Sequence, residues 1–277
     1  MQEYLLEFEQ VYYTYSGAQQ SALNGVSLKI PLGKRCALIG QNGCGKTTLF
    51  LLANGLYKPN SGIVRWRGEP LNYNRNYLQK LRQKVGLIFQ DPEQQLVAST
   101  VEEDISYGLC NLGLPVSEIQ QRVEQALIEF ELTNLAERPV HHLSLGQKKR
   151  VSIADVMVLK PELLVLDEPT AYLDVKHTRN LIATLKKIQR DGTTLIMATH
   201  DLDLVYRWAD WVFVMDKGQL MLEGKPQDVF SQRTVLEELE LGVPLIYEML
   251  SDGLSGESGL VRERVQQRIL ELFWDSM

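Results

Sequence analysis

The 277-residue chain has only three cysteines, Cys36, Cys44 and Cys110, odd in number and without ligand spacing. This count gives neither a disulfide framework nor a zinc site, and a reduced, cytosolic compartment is expected. No apolar run approaches the roughly 18 residues that a membrane-spanning helix needs. The opening "MQEYLLEFEQ" carries acids and lacks the basic, apolar and small-residue order of a signal peptide, so none is expected. Any role at a membrane therefore falls to another subunit that holds the chain there. Positive charge is also short: 29 Lys and Arg against 35 Asp and Glu leave a net charge of −6. Nucleic-acid binders usually show a basic face, so no nucleic-acid partner is expected. The one dense basic run, Lys148-Lys149-Arg150, reads as a solvated helix face. No internal repeat is present.

What remains is ordinary for a globular protein, 44% apolar and 23% charged, with ample material for a core. Residues 4–15, "VSLKI" and "GIVRWRG" read as strands separated by Gly, Pro and Asn turns. The unbroken apolar runs "CALIG", "VGLIF", "LLVL" and "TLIMAT" suit a parallel sheet covered on both faces. Residues 101–159 are mostly helical in pattern and look inserted into this α/β core. "WVFVMDKGQLMLEG" reads as a hairpin turning at Asp216-Lys217-Gly218. After Pro226, "SDGLSGESG" has linker composition. The last segment sets Val261, Val265, Ile269, Leu272 and Phe273 on one helical stripe, which reads first as docking on its own domain and second as a subunit contact.

The chemistry gathers at strand ends. "GQNGCGKT" (40–47) matches G-x-x-x-x-G-K-[ST] between a buried strand and a helix. Its glycines let backbone N–H groups wrap phosphate oxygens, and the helix N-terminus adds a favourable dipole. Lys46 is expected to reach the β- and γ-phosphates of a nucleotide and Thr47 to bind Mg²⁺. Cys44 is expected to be a small side chain that permits close packing. "LLVLDEP" is a buried strand ending in Asp167, a further Mg²⁺ candidate, followed by Glu168, placed to orient or deprotonate an attacking water. His200 ends "TLIMAT", where it can donate to the γ-phosphate or the water. Gln90 follows "VGLIF" and is either a ligand of Mg²⁺ or water, or a polar loop residue. Ligands bind outside the carboxyl ends of strands in open α/β sheets, so these groups are expected to converge. About a hundred residues beyond the phosphate loop, "HHLSLGQKKR" holds a capping box, Ser144 with Gln147, opening a helix. A helix N-terminus with Gly146 in its first turn is also a second anion site.

Together these residues resemble the ATPase subunits of ABC transporters. The motifs are "GQNGCGKTT", Gln90, the signature "LSLGQ", "LLVLDEP", the D-loop "TAYLD" with Asp174, and His200. The match covers roughly residues 1–224 in the family's order. It implies an α/β P-loop NTPase (RecA-like) core with an antiparallel β subdomain and an inserted helical subdomain at about 91–160. The ATPase domain would span 1–225, and 226–277 would be a short α-helical extension that helps dimerisation. ATP and Mg²⁺ are the implied cofactors. ATP would contact Tyr15, which stacks on adenine with Tyr13 as the second candidate, and Gly40, Gln41, Asn42, Gly43, Cys44, Gly45, Lys46, Thr47 and Thr48. Mg²⁺ would meet Thr47, Gln90 and Asp167. The resemblance makes Glu168 the general base and His200 the link from the γ-phosphate to the opposite subunit. Ser144, Leu145, Gly146 and Gln147 would face a nucleotide held by a second subunit, and the intact motif set in one chain favours a homodimer.

By the same resemblance the helical subdomain meets an integral membrane subunit, which places the chain on the cytoplasmic face of the membrane. "FQDPEQQLVASTVEEDISYGLCNLGL" is most similar to ATPases of cobalt/nickel and energy-coupling-factor importers. Leu145 departs from the family, where Gly is commoner; as a first helical residue with negative φ it is tolerable. A soluble ABC protein acting on DNA or ribosomes would carry coiled-coil insertions or two ATPase units. A small-molecule kinase or GTPase leaves "LSLGQ" unexplained, and a non-hydrolysing regulator more naturally lacks Glu168 or His200.

Overall fold

A computed structural model describes residues 3–253. The chain opens with strands β1 (Tyr4–Tyr13), β2 (Leu23–Pro31) and β3 (Arg35–Ile39), then helix α1 (Lys46–Ala53). Strands β4 (Ser61–Trp66) and β5 (Glu69–Pro70), helix α2 (Arg75–Lys84) and strand β6 (Val85–Ile88) follow. A helical block comes next: α3 (Val101–Cys110), α4 (Val116–Glu129) and α5 (Leu145–Met157). The chain then alternates through β7 (Leu163–Asp167), α6 (Val175–Arg190), β8 (Thr194–Ala198) and α7 (Leu202–Trp208). It continues through the hairpin β9 (Trp211–Asp216) and β10 (Gln219–Gly224) to α8 (Pro226–Phe230), α9 (Arg233–Glu238) and α10 (Leu245–Gly253).

Two sheets result. One is antiparallel, in the order β2-β1-β4-β5; the other runs β10-β9-β3-β8-β7-β6. In the second, β9, β3, β8, β7 and β6 pair in parallel, so their carboxyl ends share one edge. Their residues are almost wholly buried, as unbroken apolar strands require when both faces are covered. Side chains alternate between two cores. Cys36, Leu38, Leu163, Val165 and Ile196 join the antiparallel sheet, while Leu164, Leu166, Leu195 and Met197 pack with the helical block. Gly86 of β6 lets α5 come close, since a Cβ there would fall on the Val156 side chain.

The opening strand stops at Tyr13 rather than Tyr15, because Thr14 leaves the ladder to donate its N–H to Asn60 Oδ1 at 2.6 Å. The final hairpin turns through Lys217 and Gly218, at φ 43° and 77°, the positive values of a two-residue hairpin turn. That turn also touches the first sheet: Gly218 donates its N–H to Cys44 O and accepts from Asn24 N–H, at 3.0 and 2.7 Å. The supposed linker is helical at its start, because α10 runs to Gly253. It is anchored where Ile246 N–H donates to Asp203 Oδ1 and where Tyr247 packs edge-on against Tyr206. The stripe from Val261 to Phe273 lies outside the described residues.

Candidate functional site

The phosphate loop joins β3 to α1. Gly40 and Gly45 hold φ of 152° and 107°, and a Cβ at Gly45 would meet Ala22 O at 2.5 Å, so only glycine fits. Lys46 is buried, and its ammonium donates to Gly40 O and Gln41 O at 2.7 and 3.0 Å. The loop backbone thus places a cation at the helix N-terminus. One residue on, Thr47 Oγ1 donates to Asp167 Oδ2 at 2.6 Å, tying α1 to the end of β7. Burial pushes the Asp167 carboxyl up, and the Thr47 bond opposes it.

Glu168 is 7% exposed and sits at φ 44°, uncommon for a residue with a Cβ and frequent at functional sites. Its Oε2 lies 3.0 Å from His200 Nδ1. An ionised carboxylate can only accept, so Nδ1 donates and Nε2 is left at the largely exposed outer side of the ring. Strands β7 and β8 are neighbours, which is why residues so far apart in the chain meet. Gln90, at the end of β6, is exposed at the same edge.

Lys149 corrects the sequence reading of a solvated basic face. It is 2% exposed, and its ammonium donates to Gln90 O at 2.9 Å and to Glu168 O at 3.3 Å. Burial drives it down to about 8, with Asp91, Glu168 and Asp167 opposing the shift. Lys148 pairs with Glu93 and Arg150 reaches Glu131, so none of the three charges is left to solvent alone. Sequence reasoning missed Lys149 because a Lys in a basic run carries no mark of burial; its spacing of five from Ser144 was the available signal, setting it inside the signature helix.

The signature opens α5 as the capping box requires. Ser144 N–H donates to Gln147 Oε1 at 2.9 Å, and Gln147 N–H to Ser144 Oγ at 3.4 Å. Leu145 is the first helical residue and is absent from the residues with positive φ. Gly146 lies under the His177 ring, where a Cβ would fall 2.7 Å from ring carbon Cδ2. His177 Nδ1 pairs with Asp174 Oδ1 at 2.8 Å, so the D-loop acid is linked through that ring to the signature. Tyr15 shares a hydrogen bond with Thr48 Oγ1 at 2.9 Å and meets Tyr13 and Tyr57 edge-on. Tyr13 stacks on Tyr57 at 5.3 Å. Gln41 reaches away, donating to Leu239 O and Glu240, while Asn42 and Gly43 are exposed.

Cys44 packs against Gly40, whose Cβ would lie 2.7 Å from its sulfur, and burial pushes the thiol up. Thiolates are the reactive form, so exposed Cys110 is expected to react with a maleimide well before Cys44. Labelling confined to Cys110 should leave ATP affinity intact, and labelling forced onto Cys44 should abolish it. Titration of labelled protein with a fluorescent ATP analogue checks this, and full affinity after Cys44 modification would count against the loop placement.

The model of the family described as ABC transporter matches residues 23–171. A Nostoc sp. chain provisionally named an ABC transporter ATP-binding protein is 69% identical over 273 residues, covering 99% of this chain and all of that one. The energy-coupling factor transporter ATP-binding protein EcfA3 of Clostridium perfringens is 41% identical, covering 90% of this chain and 88% of its own. Among solved structures, cbiO1 of Clostridium perfringens, part of the ABC transporter complex cbiONQ, superposes with a TM-score of 0.76 at 41% identity. It covers 90% of this chain and 99% of its own. The chain belongs to the ABC transporter family, as an ATP-binding subunit of the kind that hydrolyses ATP to power transport.

Proposed function

We propose that two copies of this chain close head to tail on two ATP molecules and drive the import of cobalt or nickel ions through a membrane partner. The observation that carries the reading is the shared sheet edge, with Lys46 and the Thr47–Asp167 pair on one side and Glu168–His200 on the other. Tyr15 stacks on adenine, Gly40 to Thr48 wrap the phosphates, and Lys46 exchanges its loop carbonyls for phosphate oxygens. The Thr47 hydroxyl and the Asp167 carboxylate offer hard oxygen donors, which fit Mg²⁺, and Gln90 completes the set. Mg²⁺ supplies positive charge against the phosphate oxygens when bound. Glu168 takes the proton of the attacking water, and His200 reaches the γ-phosphate through Nε2. Ser144, Leu145, Gly146 and Gln147 present the N-terminus of α5 to the nucleotide of the second copy, with Asp174 beside them. These roles follow the family's motifs, residue by residue.

The block 91–160 would meet the integral membrane subunit, and 226–277 would support dimerisation of the ATPase domain 1–225. The working place is the cytoplasmic face of the membrane. Among described residues no helix is long and apolar enough to cross it. The motif likeness to cobalt/nickel importer ATPases favours a metal ion; the relation to EcfA3, an energy-coupling factor transporter ATP-binding protein, favours the second reading, a vitamin importer. The membrane protein that co-purifies with this chain, reconstituted with it in vesicles, is expected to take up ⁵⁷Co²⁺ or ⁶³Ni²⁺ only with ATP. Uptake of a vitamin with no metal uptake overturns the ion and leaves the ATPase standing.

A further inference from the structure

Between Gln90 and α3, a short turn brings Gln95 against α5. Its Nε2 donates to Ser152 O at 2.7 Å and to Asp155 Oδ2 at 3.3 Å. From the opposite side, α3 presents Asp104, 1% exposed. Asp104 Oδ1 accepts the N–H groups of Val97 and Ala98 at 2.8 and 2.7 Å, fixing the end of the same turn. Its other oxygen, Oδ2, is buried with no hydrogen-bond partner among the described residues, and so is Gln95 Oε1. The cluster therefore holds two carboxyl groups, two lone acceptors and no spare donor. Buried acceptors are normally satisfied, and an unmade bond there costs about 1–3 kcal/mol.

We propose that Asp155 keeps a proton and shares it with Asp104, locking the turn after Gln90 onto the signature helix. Among the described residues a protonated carboxyl is the group at this place that can still donate, and a buried carboxyl that feels a second carboxylate, with no cation beside it, favours its protonated form. The groups that act on Asp155 are Asp104 of α3, which raises it, and Gln95 of the turn, which lowers it; no cationic side chain is among them. Burial, followed by the Asp104 charge, pushes Asp155 up to about 7. Asp155 is only half-buried, so solvent can deliver and remove the proton. Asp104 and Asp155 act as positioning residues. They touch no nucleotide, but the turn they hold begins at Gln90, and α5 carries Ser144 and Gly146.

The direction of the pH effect follows. The folded form binds Asp155's proton more tightly than the unfolded chain, whose Asp releases it near about pH 4. This stabilisation is complete below about pH 4 and is lost as pH rises through about 7. The Tm of the wild-type chain is accordingly expected to fall by roughly 5 °C between pH 6 and 8.5, beyond the drift of the variant. Asp155→Asn keeps a donor facing Asp104 at every pH and should remove that step. Asp104→Asn keeps an acceptor for Val97 and Ala98 but offers an amide donor to Asp155, so its step should move to more acidic pH. The kcat of ATP hydrolysis should follow the same step in wild type and not in Asp155→Asn, with KM for ATP unmoved.

Parallel Tm–pH curves for wild type and Asp155→Asn would overturn the shared proton, as would a step left in place by Asp104→Asn. A step whose position follows K⁺ or Na⁺ concentration at constant ionic strength would assign the lone acceptors to a cation and overturn it too. If Asp155→Asn fails to fold, the Asp104→Asn shift still decides. The melting measurements do not depend on the transport reading, so either can fail alone.

Discussion

Replacing Glu168 with Gln is expected to lower ATP turnover by at least about 100-fold, the usual span for removing a general base. Gln has nearly the same shape and can still accept from His200 through its amide oxygen. The buried position at the end of β7 should therefore be kept, and only the ability to take a proton is lost. With binding intact and hydrolysis blocked, the ATP-closed state has no exit, so a dimer should persist in ATP on size-exclusion chromatography. A variant that stays monomeric with ATP and turns over normally would remove Glu168 from the catalytic role.

The second large effect is expected at Lys149, changed to Met. Met fills the buried volume and supplies no donor, leaving Gln90 O and Glu168 O without the ammonium. Each lost partner costs about 1–3 kcal/mol, so at about 2–4 °C per kcal/mol for a large chain the Tm should drop by at least roughly 4–8 °C. Turnover should fall by about 10-fold or more, because the backbone of the proposed base and the start of the Gln90 turn both lose their anchor. KM for ATP should change little, since Lys149 contacts neither the phosphate loop nor the tyrosine cluster. An unchanged kcat with a lowered Tm would make Lys149 a structural residue only. Steady-state kinetics and thermal melting on the same preparation separate the outcomes.

Much of this was readable in the sequence because the parallel sheet writes itself plainly. "LLVL" and "TLIMAT" are apolar without alternation, and Asp167, Glu168 and His200 sit where those runs stop. The signature helix was equally plain, since its capping box is a local pattern confirmed by two bonds within four residues. Contacts made only by tertiary packing were not readable. Lys149 has the same neighbours in the sequence whether its amine meets water or two carbonyls. Asp104 and Asp155 lie on different helices, and only the packing of α3 on α5 makes them one cluster. The stack of Tyr13 on Tyr57 and the reach of Gln41 to Leu239 likewise join segments with no common periodicity. "SDGLSGESG" misled in part because Gly and Ser composition reports average preference, while Ile246 and Tyr247 dock the preceding turn of helix.

The hairpin tip at Lys217 and Gly218 has a consequence for protein engineering. Exposed tips rich in small and polar residues are where affinity tags and fluorescent inserts are usually tolerated. This tip is a clamp between three segments, with its amide on Cys44 and its carbonyl on Asn24. A Cβ at Gly218 would already lie 2.8 Å from Ala22 O. A cassette spliced there would pull on the nucleotide loop from outside, and a reporter meant to watch the enzyme would disable it.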